Sequence, residues 1–153
     1  MDRLLIEQYE AGGGELRAAV DGLSPDALPA FPVPGTWSIQ QIVHHLVDSD
    51  LIHADRMKRI IAEENPQLIG FDESKFAANL HYHQQSVNDG ITIFDLNRRN
   101  FARVLRQLPD LAFDRVGTHN ERGPMTLADL LSDTVDHLSH HLKFIAQKRK
   151  MLS

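Results

Sequence analysis

Apolar residues recur at helical spacing in four long segments, separated by breaks rich in proline and glycine. The first segment runs from about Asp2 to Val20, with Leu4, Leu5, Tyr9, Leu16 and Val20 as anchors. Gly12-Gly13-Gly14 falls inside it. Three glycines cost roughly 2–3 kcal/mol of helix propensity relative to alanine, which predicts a break or kink there. Leu23-Ser24-Pro25-Asp26-Ala27-Leu28 predicts a short helical turn, with Ser24 as cap and Pro25 at the first helical position. Pro29, Pro32, Pro34 and Gly35 then mark an irregular connector.

The second segment starts at Ser38, where Ser38-x-x-Gln41 forms a capping box ahead of an apolar run. Ile39, Ile42, Val43, Leu46, Met57, Ile60 and Ile61 hold a 3.6-residue stripe to about Glu64, and Asn65-Pro66 ends it. Residues 66–86 show the least regular pattern and predict a long loop, of the kind that is functional or mobile in a compact domain. The third helix spans about Val87 to Leu108, with Ile91, Phe94, Leu96, Phe101, Val104 and Leu105 among its apolar positions; Pro109 stops it. A second connector, residues 110–125, has room for a hairpin around Asn120-Glu121-Arg122-Gly123. Thr126 caps the fourth helix, in which Leu127, Leu130, Leu131, Thr134, Leu138, His141 and Ile145 share one stripe. Lys148, Arg149 and Lys150 close it, where the helix dipole favours cations. The pattern predicts an all-α single domain over residues 1–153, most simply a four-helix bundle.

Composition narrows the function. Hydrophobic residues make up 42% of the chain, enough for a core, and no run of about 18 apolar residues predicts a membrane span. The chain opens on an amphipathic stretch, Met1-Asp2-Arg3-Leu4-Leu5-Ile6-Glu7, which does not read as a signal peptide. A net charge of -5 argues against non-specific nucleic-acid binding. With no cysteine there are no disulfides, thiolate ligands or cysteine nucleophiles, and a cytoplasmic protein fits. Any transition metal must be held by nitrogen and oxygen.

Nine histidines are many for this length, and helical phase sorts them. With each residue advancing about 100° around the axis, His137 and His141 fall on the inward side of the fourth helix and His140 near solvent. On the second helix His45 flanks the apolar stripe, His53 lies on it, and His44 lies roughly opposite and should be exposed. His45, His137 and His141 are therefore either buried imidazoles satisfied by core partners or the ligands of one divalent metal with open positions left over. Asp48 and Asp133 are spaced to accept the second ring N–H of a ligating histidine, and Asp48 could instead take a proton from a bound water; both also fit solvated helix flanks.

The same residues resemble a known family. Trp37-Ser38 followed by His44-His45-Leu46-Val47-Asp48-Ser49, and His137-Leu138-Ser139-His140-His141, look like the two histidine signatures of the DinB-like superfamily. Gly70-Phe71-Asp72-Glu73-Ser74-Lys75-Phe76 is similar to its YfiT-like branch of metal-dependent hydrolases and bacillithiol transferases. The resemblance covers about residues 29–147. It implies an antiparallel four-helix bundle with a long crossover and a metal site at one end. Its ligand positions fall on His45, His137 and His141, with zinc or nickel as the metal, and it implies a homodimer.

Two functional readings follow. In the first, the metal activates a water or a low-molecular-weight thiol against a small-molecule substrate, and Asp48 orients or deprotonates the nucleophile. In the second, a non-catalytic metal-binding or stress-response bundle uses the ion to tie two helices together, which a fourth ligand such as His53 or Asp48 would favour. A di-iron carboxylate centre lacks its Glu-x-x-His pairs, and a serine hydrolase lacks its G-x-S-x-G elbow. Trp37 reads as a packing residue. Tyr82, His81 and His83 read as solvated loop residues or as part of the pocket. Arg99, Arg103 and Arg106 share one face of the third helix, suited to salt bridges or to an anionic ligand.

Overall fold

A computed structural model describes residues 3–152. Asp2, the expected start of the first helix, lies outside them. Four long helices form a bundle: α1 (Leu4–Val20), α2 (Ile39–Ala62), α4 (Val87–Gln107) and α5 (Leu127–Leu152). A short α3 (Glu73–Asn79) lies between α2 and α4. α1 and α2 each pack against both α4 and α5, so α1 sits diagonally from α2, and α4 from α5. The two diagonal pairs are joined by the long connections at residues 21–38 and 108–126.

Helix boundaries follow local chemistry. The Ser38 side chain accepts the Gln41 backbone N–H, and the Gln41 side chain accepts the Ser38 N–H, which fixes where α2 starts. Ser86 and Asp72 cap α4 and α3 from one side only, accepting the backbone N–H groups of Asp89 and Lys75. Thr126 and Asp129 cap each other reciprocally at α5.

α1 runs through Gly12-Gly13-Gly14 without a break, contrary to the propensity reading. A Cβ on Gly12 would run into the Arg98 side chain, and one on Gly13 would come within 2.8 Å of the Asp95 backbone. Tight packing of α1 on α4 outweighs the propensity cost.

The connectors are more ordered than their sequence suggests. β1 (Gln67–Leu68) pairs in parallel with β2 (Val116–His119), which pairs antiparallel with β3 (Gly123–Thr126). The Asn120–Arg122 hairpin is present, and its registers include Gln67↔Thr118 and Val116↔Thr126. Leu68, Met125 and Phe113 join Ile6, Tyr9, Met57 and Phe101 in one core cluster, so the sheet closes that end of the bundle.

A second cluster fills the other end and includes Leu16, Ile42, Leu46, Phe94, Leu138 and Ile145. Between the two lies Arg98, 1% exposed, stacked on Tyr9 and Phe94. It donates to Asp50 (2.8 Å) and to the carbonyls of Tyr9 (3.3 Å) and Thr134 (3.2 Å), and so links all four bundle helices. Among the described residues no helix is long and apolar enough to cross a membrane.

Candidate metal centre

The capping box sets the rotation of α2 so that His45 faces α5, where the H-x3-H spacing stacks His137 and His141 one turn apart. The three side chains each offer a ligand atom, and these atoms lie within 4.8 Å of one another. His45 is fully buried, and the other two are half-buried. His45 Nε2 lies 3.0 Å from His137 Nε2. Two nitrogens at about 2.0–2.1 Å from a tetrahedral ion sit only slightly farther apart, at about 3.3 Å.

Two further observations test the fit. His141 Nδ1 is buried without a hydrogen-bond partner. His45 Nδ1 faces Ser49 Oγ at 3.5 Å, which suits the tautomer that leaves Nε2 free to ligate. Burial, with the neighbouring imidazoles adding to it, lowers His45 and His137 to about 3. Burial and then His140 lower His141 to about 4. All three rings are neutral at physiological pH, the state a metal requires. The residues fit a divalent ion.

The cluster opens to two clefts of different character. One, about 390 Å³, is lined by polar and charged residues: His137 with His53, Glu73, Arg122, Asp136 and His140. The other, about 240 Å³, is apolar; His141 lines it with Val33, Trp37, Ile42, Phe144 and Lys148. Trp37 packs on the His45 ring at 4.8 Å between centroids, so it is a packing residue and a cleft wall at once.

The other predicted residues distribute as follows. His53 is a cleft residue: its Nδ1–H donates to the Ser49 carbonyl at 2.7 Å, and its ring lies 6.2 Å from that of His137. It is not part of the three-ligand group. Asp48 accepts the Tyr82 hydroxyl at 2.6 Å, which draws the loop segment Tyr82–Gln84 onto α2. Tyr82 is fully buried, whereas His81 and His83 are exposed. Asp133 accepts from Arg122 at 2.5 Å on the rim of the polar cleft. His140 is exposed, as its phase predicts.

His44 corrects the phase argument, because it is 3% exposed. Its ring packs on Tyr82 and on Gly90, where a Cβ would come within 2.9 Å of it. The side of α2 opposite the bundle stripe is covered by the loop segment and the start of α4, so this side is not solvent. On the arginine face of α4, Arg106 pairs with Glu7 and Glu10, and Arg99 with Asp95.

Sequence reasoning did not single out Glu73, Asp136 or Lys148 for the site. Asp72-x-x-Lys75, a cap followed by a short helix, was the available signal for Glu73, because it fixes that residue at the first turn of α3. Burial, and then Asp72, raises the Glu73 carboxyl above its usual value.

A "Putative metal-dependent hydrolase" of Oceanobacillus iheyensis is 28% identical over 137 residues, covering 88% of this chain and 79% of that protein. One of the same description from Bacillus mycoides is 27% identical over 148 residues, covering 97% and 85%. Among solved structures, YfiT from Bacillus subtilis, described as "a probable metal-dependent hydrolase with an unusual four-helix bundle topology", superposes with a TM-score of 0.91 at 25% identity, over 97% of this chain and 86% of that one. The DinB superfamily family model matches residues 8–145, which takes in all three histidines, and the chain belongs to that superfamily.

Proposed function

We propose that this protein is a divalent-metal-dependent hydrolase of small molecules, with His45, His137 and His141 as the metal ligands. The observation that carries this reading is a three-ligand group with a cleft on either side. A closed structural site would use four protein ligands, whereas three leave a position for water or substrate. When bound, the ion supplies Lewis-acid polarisation and lowers the pKa of a coordinated water or thiol.

The chain's own groups divide the remaining work. Glu73 lines the polar cleft with His137, and its raised carboxyl suits it to accept a proton and return it to a leaving group. Asp48 holds Tyr82 and with it the segment that covers α2, which makes it a positioning residue. The apolar walls of the second cleft disfavour water on one side of the centre. Transfer of a substrate-borne thiol uses the same ligands, and the superfamily resemblance keeps it as the second reading. Zinc and nickel both suit an all-imidazole set.

The test pairs elemental analysis with turnover. Wild-type protein incubated with zinc or nickel should hold about one equivalent, and His137→Ala should hold none. Loaded wild type should hydrolyse small esters or amides. Glu73→Gln should lower kcat by about 10²–10⁴-fold while keeping the metal, a range set by general acid–base catalysis. Asp48→Asn should act mainly through stability and KM. No bound metal in wild type after either incubation overturns the proposal.

A further inference from the structure

The apolar side of the centre holds one charged group, Lys148, with no part in the metal chemistry. Lys148 is 4% exposed, on the wall of the cleft that His141 opens into. Its ammonium donates to Thr36 Oγ1 at 2.6 Å. Among the described residues no carboxylate forms an ion pair with it. Burial lowers its pKa, with no acidic neighbour to oppose the shift. Of the remaining walls, Val33, Trp37, Ile42 and Phe144 are apolar, and Gln147 adds a neutral amide.

A nearly buried cation with one neutral hydrogen-bond partner is costly unless an anion joins it. The helix dipole at the end of α5 offsets part of that cost, but it does not use the two remaining ammonium protons. A cleft of about 240 Å³ falls below the usual range for drug-sized ligands, so the occupant is small.

We infer that this cleft binds the non-reacting part of the substrate, a short apolar body ending in a carboxylate that Lys148 holds. The inference rests on the metal-centre reading for its link to turnover, but the cleft is tested separately. Phe144 and Lys148 lie one turn apart on α5, and His141 lies two turns before Lys148. A ligand anchored at Lys148 therefore lies along α5 towards the ligating histidines.

The test uses hexanoate against hexan-1-ol, which share a chain and differ in charge. Binding is read from the fluorescence of Trp37, the single tryptophan and a cleft wall. The background is metal-free His137→Ala, so that a carboxylate cannot bind through a metal. Hexanoate should bind about tenfold or more tightly than hexan-1-ol, the scale of a charged hydrogen bond. Lys148→Met keeps the stem and removes the charge; it should erase that preference and leave hexan-1-ol binding unchanged. Phe144→Asp, at an exposed position that does not threaten folding, introduces a carboxylate one turn away and should weaken hexanoate more than hexan-1-ol.

A hexanoate preference that survives Lys148→Met overturns the inference. So does a preference seen only in metal-loaded wild type, since the carboxylate then sits on the ion; that result leaves the metal reading intact. A Lys148-dependent preference in a protein that takes up no metal supports the cleft and removes the hydrolase reading. The two failures are therefore separable.

Discussion

At the scale of single residues, His44 and His45 are neighbours with opposite assignments. Both are buried, but only His45 meets His137 and His141. His44 is locked between Tyr82 and Gly90, with its Nε2 unpartnered. His44→Ala should leave metal stoichiometry at one while costing about 1–3 kcal/mol through the void it opens. His141→Ala should abolish stoichiometric metal and cost less, since that ring is half-buried beside an open cleft. Thermal melts beside elemental analysis read both. A His44→Ala protein that loses its metal would show that the centre recruits the other histidine of the pair.

At the scale of elements, legibility followed how many sides of a helix are covered. α5 keeps one polar face, so helical phase placed His137 and His141 inward and His140 outward correctly. The first half of α2 is buried on nearly every side, from Ile39 to Asp50 with only Gln41 and Asp48 half-exposed. A phase argument assumes solvent opposite the stripe, and there His44 meets protein instead. The sheet was legible only as a hairpin, because strands of two to four residues are too short to show alternation. Lys148 read as a cation favoured by the helix dipole, and only the packing of residues 33–37 against α5 buries it.

The glycine run in α1 gives this scale its own prediction. Propensity alone rates Gly12, Gly13 and Gly14 alike, while the structure separates them. Nothing lies within 4 Å of a Cβ on Gly14, which is exposed. Gly14→Ala should therefore stabilise the protein by about 0.5–1 kcal/mol. Gly13→Ala should destabilise it by about 1–3 kcal/mol, because α1 must retreat from the Asp95 backbone. Urea midpoints of the two variants test the pair. A gain from both would mean that α1 and α4 pack less closely than described.

At the scale of the whole molecule, the three histidines couple stability to acid and to metal in different ways. In the folded chain His45 and His137 lie at about 3 and His141 at about 4, against about 6.5 for an unfolded histidine. Between pH 6.5 and about 4 the unfolded chain takes up protons that the folded chain refuses. Metal-free protein should therefore lose stability as the pH falls through that window, by up to about 1.4 kcal/mol per pH unit for each histidine. The metal-loaded protein has the same neutral rings, so it should lose stability in parallel. Its advantage, about 2.7 kcal/mol at a metal concentration of 100 Kd, should stay nearly constant from pH 7 to pH 5 and close only near pH 4. Exposed histidines would behave otherwise: protons would compete from pH 6.5 downward and the two curves would converge at once. Paired melts with and without zinc across this range decide between the two, and convergence above pH 6 would mean that the three rings are solvated rather than buried between α2 and α5.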